Sequence, residues 1–299
     1  MRILLSGASG LIGSALAKRL DASSEVVRLV RRDPLSAASE IRWDPAAGRI
    51  EPKQLEGFDA VVHLAGENIG AGRWTAAKKA RVRSSRVEGT LLLAKTLAGL
   101  NQPPKVLVSA SAVGYYGDRG DEKLDESSGP GTGFLAEVCR AWEEAAMTAA
   151  EAGIRVVLAR FGVVLSPEGG ALARLLPLFR FGLGGRLGSG RQYMSWIALE
   201  DAVGAIAFAL ENDSLRGPVN VTSPQPVTNR QFTQTLGRVV RRPTLLHAPA
   251  IALRAVLGEM ADEMLLASVR VYPRRLLEAG FSFSKPALEM ALAHGPVGR

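Results

Sequence analysis

Three glycines near the start of the chain have the spacing of a phosphate-binding turn. Residues 6–13 read Ser-Gly-Ala-Ser-Gly-Leu-Ile-Gly and stand between an apolar run and an amphipathic stretch. Gly7 permits a tight turn, Gly10 lets the backbone approach a pyrophosphate, and Gly13 lets the helix pack on the strand. Free N–H groups at the helix start would bind the anion. The pattern predicts a dinucleotide site, with a glycine turn that only packs a helix as the alternative; the predicted loop residues are Gly7, Ser9, Gly10, Leu11, Ile12 and Gly13.

Two arginines at the end of the second predicted strand indicate which dinucleotide is bound. Sites for NAD usually carry Asp or Glu there, which accepts from the ribose hydroxyls. This strand ends instead in Arg31 and Arg32, and a guanidinium forms a bidentate, charge-assisted pair with a phosphate. We therefore predict NADP(H), with its 2′-phosphate on these arginines. A solvated loop whose charge Asp33 offsets is the alternative.

Small and polar residues close the other predicted strands. Ligands of parallel α/β sheets lie beyond the carboxyl ends of the strands, so these residues are expected to line the cofactor site. Tight packing of small residues is the alternative. The predicted cofactor residues at these strand ends are Leu64, Ala65, Gly66, Ser109, Ala110, Arg160, Gly162 and Val163.

The elements that must position these residues alternate between strand and helix, which predicts a parallel sheet. The strand runs are almost continuously apolar, as expected where helices cover both faces. A hairpin is predicted at 41–50. The predicted fold class is α/β, a Rossmann-type doubly wound parallel sheet with a smaller, mostly helical C-terminal substrate lobe. Strands are predicted at 2–5, 26–30, 60–64, 106–109 and 155–160, and helices at 11–20, 75–100 and 134–151.

After Gly162 the pattern changes to glycine-rich loops around helical stretches. We predict that residues 1–165, returning in part through 195–225, form the NADP(H)-binding domain. Residues 166–299 would form the substrate lobe, with a helical segment at 243–299. The stretch 184–192 is glycine-rich and basic, so its arginines could pair with a diphosphate; a flexible surface hairpin is the alternative. The predicted substrate residues are Arg186, Arg191 and Trp196, of which the tryptophan could instead pack a hinge.

Composition argues against several other classes of protein. The net charge is +8, but aromatic residues make up only 6% and do not alternate with the basic ones as a nucleic-acid stacking surface requires. No apolar run of about 18 residues is present, so we expect no membrane span. The single cysteine, Cys139, allows no internal disulfide and favours a cytoplasmic protein. His63, His247 and His294 lack metal-site spacing, and His63, inside a strand, is predicted to be a packed residue.

Motifs along nearly the whole chain carry a resemblance to a known family. They are 7–13, His63-Leu64-Ala65-Gly66-Glu67-Asn68-Ile69, Gly89-Thr90, Ser111 with Tyr115-Tyr116-Gly117, Cys139-Arg140-Ala141-Trp142-Glu143, Trp196-Ile197 and 274–281. The chain resembles the extended short-chain dehydrogenase/reductases, the group of the nucleotide-sugar epimerases, and more narrowly the SulA-type epimerase-family proteins. The resemblance implies an anionic, nucleotide-linked small-molecule substrate and a homodimer formed through the helices predicted at 75–100 and 134–151.

The catalytic pair of that group is a tyrosine four residues before a lysine on one helix face, and it is absent. None of the four tyrosines has a lysine at that spacing. The hydroxyl of Ser111 carries over, and Tyr115 or Tyr116 is the candidate replacement for the missing tyrosine. Two functions stay open: an NADP(H)-dependent oxidoreductase or epimerase, and a catalytically silent NADPH-binding or sensing protein.

Overall fold

Strands and helices alternate in the computed structural model, which describes residues 1–293. The strands of that range are β1 Arg2–Ser6, β2 Glu25–Val30, β3 Glu40–Asp44, β4 Arg49–Ile50, β5 Ala60–His63, β6 Val106–Ala112, β7 Lys123–Leu124, β8 Arg155–Phe161, β9 Val163–Ser166, β10 Gly185–Leu187, β11 Tyr193–Met194, β12 Trp196–Ala198, β13 Gly217–Val221, β14 Val227–Thr228, β15 Leu246–Ala248 and β16 Arg270–Val271. The α-helices are α1 Leu11–Leu20, α2 Ala76–Ala98, α3 Phe134–Met147, α4 Gly170–Arg180, α5 Leu199–Glu211, α6 Asn229–Val240, α7 Ala250–Leu257, α8 Glu259–Ala261, α9 Arg274–Glu278 and α10 Leu288–Ala293.

Eight of the strands form one sheet in the order β13-β8-β6-β5-β1-β2-β3-β4. β1 pairs in parallel with β2 and with β5, so that Leu4 stands opposite Val27 on one side and Val61 on the other. β2 pairs in parallel with β3, and β5 with β6. The antiparallel pair β3–β4 is the predicted hairpin, and its first strand extends the sheet. The predicted α/β class with a mostly parallel, Rossmann-type sheet is confirmed.

The bounds of several predicted helices differ from the observed ones. The predicted helix 134–151 ends as an α-helix at Met147 and continues as a 3₁₀ helix, Thr148–Ala152, before Gly153 at a φ of +80°. Helix α2 begins after Thr75, whose side chain accepts the N–H of Lys78 at 3.2 Å. The predicted helical segment at 243–299 contains α7 to α10 but also β15 and β16, and its last six residues lie outside the described range.

The chain divides into two compact units. The first contains Met1–Ser111, Val138–Ala159 and Val203–Val219. An apolar core cluster on one face of the sheet includes Leu4, Val61, Leu93, Leu97 and Leu107. These fully buried side chains remove apolar surface from water, at about 25 cal/mol per Å², and so fix the strand ends that carry the predicted cofactor residues.

The second unit contains Ala112–Glu137, Arg160–Ala202 and, within the described residues, 220–293. Its own core includes Leu172, Phe179 and Leu236. The buried carboxylate of Asp201 accepts the backbone N–H groups of Ser284 and Lys285 at 2.7 and 2.9 Å, which ties down the C-terminal segment. Among the helices described, none is long and apolar enough to cross a membrane.

Candidate cofactor and active site

The glycines between β1 and α1 are required for two different reasons. Gly7 has a φ of +72°, and a Cβ there would lie 2.7 Å from the carbonyl carbon of Leu64. A Cβ on Gly13 would collide with the Gly7 carbonyl oxygen and lie 2.9 Å from the Cα of Ala8. At Gly10 the nearest atom to a Cβ is the Gly7 oxygen, 3.3 Å away. Gly7 and Gly13 therefore serve the fold, while Gly10 leaves the backbone open to a ligand.

Helix α1 presents an uncapped N-terminus beside this loop. Gly10 is its N-cap, and no side chain in the described part of the chain caps it. The first turn contains no acidic residue, whereas Lys18 and Arg19 stand in the last turn. The N–H groups of the first turn therefore lie at the positive end of the helix dipole, which favours an anion. Leu11 and Ile12 are partly exposed there, and Ser9 is exposed.

Arg31 and Arg32 follow β2 and differ in what holds them. The Arg32 guanidinium donates to both carboxylate oxygens of buried Glu40, at 2.5 and 2.8 Å. Glu40 also accepts the N–H of Leu35 at 2.6 Å; these bonds, that of Arg32 foremost, lower the pKa of the carboxyl. The exposed Arg31 side chain makes no hydrogen bond or ion pair within residues 1–293. A ligand that binds Arg31 therefore breaks no hydrogen bond or ion pair, and Arg32 is held in place with half of its side chain exposed.

A cluster of charged side chains around Glu67, which follows β5, was not predicted from the sequence. The Nζ of Lys78, almost fully buried, donates to Glu67 Oε1 at 2.6 Å. This hydrogen bond is the main cause that lowers the pKa of Glu67, and the charges of Lys78, Arg81 and Arg31 add to it. Arg86 donates to the Glu67 carbonyl at 3.0 Å. A Cβ on Gly66 would lie 3.3 Å from the Arg86 guanidinium carbon, so Gly66 makes room for this side chain.

His63 is a packed residue, as predicted. Its Nδ1 lies 2.6 Å from Ser6 Oγ, and its Nε2 lies 3.0 Å from Thr90 Oγ1. The indole N–H of Trp142 donates to the same Thr90 oxygen at 2.8 Å. Complete burial lowers the pKa of His63 to about 4, so the ring is neutral at pH 7. This chain of bonds joins β1, β5, α2 and α3 behind the strand ends.

Ser111 lies one residue before the end of β6. Its hydroxyl donates to Glu143 Oε1 of α3 at 2.6 Å, and both residues are buried. Ser109 and Ala110, also predicted for the cofactor site, are buried in the same strand. Glu143 is the second functional candidate that the sequence did not reveal. Nothing in its type or spacing separates it from the neighbouring Glu144, which is exposed.

Tyr116 and Arg160 form a buried polar network in the second unit. The Tyr116 hydroxyl lies 2.8 Å from Asn220 Oδ1 and accepts from Arg160 Nη1 at 2.9 Å. Burial raises the pKa of Tyr116 to about 12. The Arg160 guanidinium also stacks on the ring of Tyr115, 3.5 Å from its centroid. We therefore assign Tyr116 and Arg160 to internal hydrogen bonding rather than to proton transfer or cofactor contact; Tyr115 remains partly exposed.

Trp196 belongs to the core of the second unit, which corrects its predicted substrate contact. The side chain is fully buried, and its indole N–H donates to the Gln225 carbonyl at 2.9 Å. In the parallel pair β9–β12, Trp196 stands opposite Val163. A Cβ on Gly162 would lie 2.7 Å from the Ser195 carbonyl oxygen. Packing therefore accounts for Trp196, Val163 and Gly162.

The glycine-rich stretch 184–192 is not a hairpin, because β10 pairs in parallel with the distant β15. A Cβ on Gly184 would meet the ring of Phe179 at 2.6 Å, so close packing explains this glycine. Arg186 is half-buried and Arg191 is exposed. The guanidinium of neither makes a hydrogen bond or ion pair in the described range. No group of three metal-ligating side chains comes together in residues 1–293, and His294 lies outside them.

The sheet and the glycine loop define a dinucleotide-binding protein of the α/β class. The chain belongs to the NAD dependent epimerase/dehydratase family, which matches residues 3–222. Residues 248–295 match a domain of unknown function, DUF1731. The resemblance to the epimerase family that the sequence motifs indicated is therefore confirmed.

Related proteins cover the chain almost from end to end. Epimerase family protein Mb2239 from Mycobacterium bovis is 50% identical over 98% of this chain and 96% of its own length. Epimerase family protein SDR39U1 from Homo sapiens is 39% identical over 98% of both. The crystal structure of human SDR39U1 (isoform 2) with NADPH superposes with a TM-score of 0.90 at 37% identity, covering 98% of each chain. A nucleoside-diphosphate sugar epimerase from Corynebacterium glutamicum gives 0.81 at 36% identity, covering 98% of this chain and 57% of that one.

Proposed function

We propose that the chain binds NADP(H) and acts as an oxidoreductase or epimerase on a small anionic substrate. One observation carries the proposal: the uncapped N-terminus of α1 follows β1, and the strand paired with β1, β2, is followed directly by Arg31 and Arg32. When bound, the nicotinamide cofactor supplies or accepts a hydride. The NADPH in the structure of human SDR39U1, 37% identical to this chain, supports the choice of cofactor.

The residues present fit both charged parts of NADP(H). The Gly10 N–H donates to the Gly7 carbonyl at 3.0 Å, so the N–H groups of residues 9 and 11–13, at the positive end of α1, bind the pyrophosphate. The guanidinium of Arg31 makes no hydrogen bond or ion pair within the described residues and binds the 2′-phosphate. Arg32 joins it, with Glu40 keeping its guanidinium in place. Residues 64–66 and 109–111, at the ends of β5 and β6, form the proposed walls of the site.

On the substrate side the proposal rests on Arg186 and Arg191. Both guanidinium groups lack a hydrogen-bonding partner in the described residues, and a phosphate or carboxylate would supply one. A nucleotide-linked sugar is the substrate type that this charge favours. The proposal keeps residues 1–165 with 195–225 as the cofactor domain and 166–299 as the substrate lobe. It also keeps a cytoplasmic protein that dimerises through the helices at 75–100 and 134–151.

A second candidate function is a silent NADPH-binding or sensing protein. The observation that favours it lies in α3, which contains neither tyrosine nor lysine. The usual pair of a phenol and an ammonium group is thus not available to move a proton on this helix. Such a protein would bind NADPH through the same loop and arginines but would not catalyse hydride transfer with it.

The experiment that tests the proposal separates binding from turnover. NADPH and NADH are titrated against the purified protein by fluorescence, and NADPH is expected to bind at least about 10-fold more tightly, as expected for one added charge-assisted contact. Oxidation of NADPH is then followed with small carbonyl compounds, reduction of NADP⁺ is followed with sugar nucleotides, and epimerisation is followed by analysis of the sugar-nucleotide products. Turnover supports the enzyme, and tight binding without any turnover supports the silent protein. Equal affinity for NADH and NADPH would contradict the role of the two arginines.

A further inference from the structure

The buried hydrogen bond between Ser111 and Glu143 is not explained by packing alone. Ser111 is 3% exposed and Glu143 is 7% exposed, and their oxygens are 2.6 Å apart. A buried carboxylate is costly unless it is hydrogen-bonded, and an apolar pair would join β6 to α3 without that cost. Ser111 stands at the carboxyl end of β6, the edge at which parallel sheets bind ligands. The Glu143 carboxylate is thus hydrogen-bonded to a serine hydroxyl at the ligand-binding edge of the sheet.

We propose that Ser111 and Glu143 form a proton relay in which Ser111 contacts the substrate oxygen and Glu143 exchanges the proton behind it. This inference rests on the proposed enzymatic function. In this relay, Ser111 and Glu143 take the place of the tyrosine–lysine pair, which α3 lacks. Ser111 is the catalytic residue of the relay, and Glu143 is a positioning residue that acts through it.

The direction of the hydrogen bond defines the chemistry. Because the Ser111 proton is donated to Glu143, the lone pairs of Oγ are available to accept the proton of a substrate hydroxyl. As the substrate C–H bond breaks, its electron pair would leave as hydride to NADP⁺, the cofactor of the proposed function, and the O–H proton passes to Ser111 Oγ. The serine proton passes to Glu143, which becomes a carboxylic acid, and the substrate becomes a carbonyl. In the reductive direction, the acid returns the proton through Ser111 to the carbonyl oxygen.

The alternative is that Glu143 only anchors β6 to α3. Glu143→Gln separates the two roles, because the amide oxygen still accepts from Ser111 but cannot take up a proton. An anchor would tolerate this variant, whereas a relay would not. Glu144→Gln is the matched control, since Glu144 is the next residue of the same helix and is exposed.

The first arm of the test measures reduction of 9,10-phenanthrenequinone with NADPH and oxidation of UDP-glucose with NADP⁺. The relay predicts that Glu143→Gln and Ser111→Ala each lower kcat about 100-fold or more, as for loss of a general acid or base. In Glu143→Gln, KM and the Kd for NADPH should stay within about twofold, because this variant keeps the Ser111 hydroxyl and its contacts. The double variant should be no slower than the slower single one, since both act as a unit. Wild-type kcat in Glu143→Gln would overturn the relay.

The second arm is independent of turnover. Glutamate labelled at the carboxyl carbon is followed by NMR in the cofactor-free protein, and the Glu143 resonance is identified by its loss in Glu143→Gln. Ser111→Ala should shift this resonance at constant pH, and Glu144→Gln should not. An unshifted resonance would overturn the relay whatever the activity. Wild-type protein that binds NADPH but turns over neither probe nor any other carbonyl would instead overturn the proposed enzymatic function, and the relay with it.

Discussion

At the scale of single residues, the neighbouring arginines after β2 have different roles. Arg32 is committed to the buried carboxylate of Glu40, while the Arg31 side chain makes no hydrogen bond or ion pair in the described residues. A 2′-phosphate would therefore gain a contact with Arg31 without breaking an existing ion pair. Arg32 adds charge from a fixed position. The selectivity for NADP(H) over NAD(H) should consequently depend on both residues, and more on Arg31.

We expect Arg31→Ala to raise the Kd for NADPH about 10- to 100-fold, the loss of one charge-assisted hydrogen-bonding group. The Kd for NADH should stay within about twofold, since that dinucleotide has no 2′-phosphate to lose a contact. Fluorescence titration of both dinucleotides measures the change. Arg19→Ala is the control, because Arg19 is exposed in the last turn of α1, far along the helix from the loop. Equal loss of NADPH and NADH affinity in Arg31→Ala would contradict the assignment.

At the scale of elements, local sequence patterns predicted the individual strands and helices, but they did not predict the side-chain contacts between those elements. The glycine spacing and the apolar periodicity are local, and they yielded β1, the loop and all ten residues of α1. The bond between Ser111 and Glu143 joins residues 32 positions apart, and that between Glu67 and Lys78 joins residues 11 apart. Periodicity does not encode such pairs, because the packing of a helix on a strand decides which of two adjacent glutamates turns inward.

The glycines of the loop allow a prediction about the first strand, loop and helix. Gly13→Ala places a Cβ against the Gly7 carbonyl, so α1 must move away from β1, at a cost of about 1–3 kcal/mol in unfolding free energy. Gly10→Ala meets only the Gly7 oxygen at 3.3 Å and should change stability far less. Its methyl group stands instead where the pyrophosphate approaches, so NADPH affinity should fall. Thermal unfolding with and without NADPH measures both effects.

The two variants are each other's control. Gly10→Ala should unfold near the wild-type temperature without cofactor and gain little from NADPH. Gly13→Ala should already unfold several degrees lower without it, as about 1–3 kcal/mol implies for a chain of this size. Similar behaviour of the two variants would mean that Gly10 also serves packing and that the phosphate does not approach there.

At the scale of the whole molecule, the buried neutral His63 links stability to pH. Its pKa is about 4 in the folded chain, against an ordinary value near 6.5 in the unfolded one. Between these values the unfolded chain binds more protons, so the free energy of unfolding falls as pH falls from 6.5 towards 4. The stabilisation is complete above pH 6.5. Between pH 7 and pH 5, proton uptake by His63 in the unfolded chain should lower the free energy of unfolding by about 2 kcal/mol.

Urea unfolding of the wild type and of His63→Gln at several pH values isolates this contribution. The variant should be less stable at pH 7, because it loses the ring between Ser6 and Thr90. The difference between the two proteins should then shrink by about 2 kcal/mol at pH 5, since glutamine takes up no proton. His247→Gln controls for removal of a histidine at an exposed position. A constant difference between wild type and His63→Gln across this range would mean that the pKa of His63 is the same in the folded and the unfolded chain, and the bonds assigned to its ring nitrogens would then need another explanation.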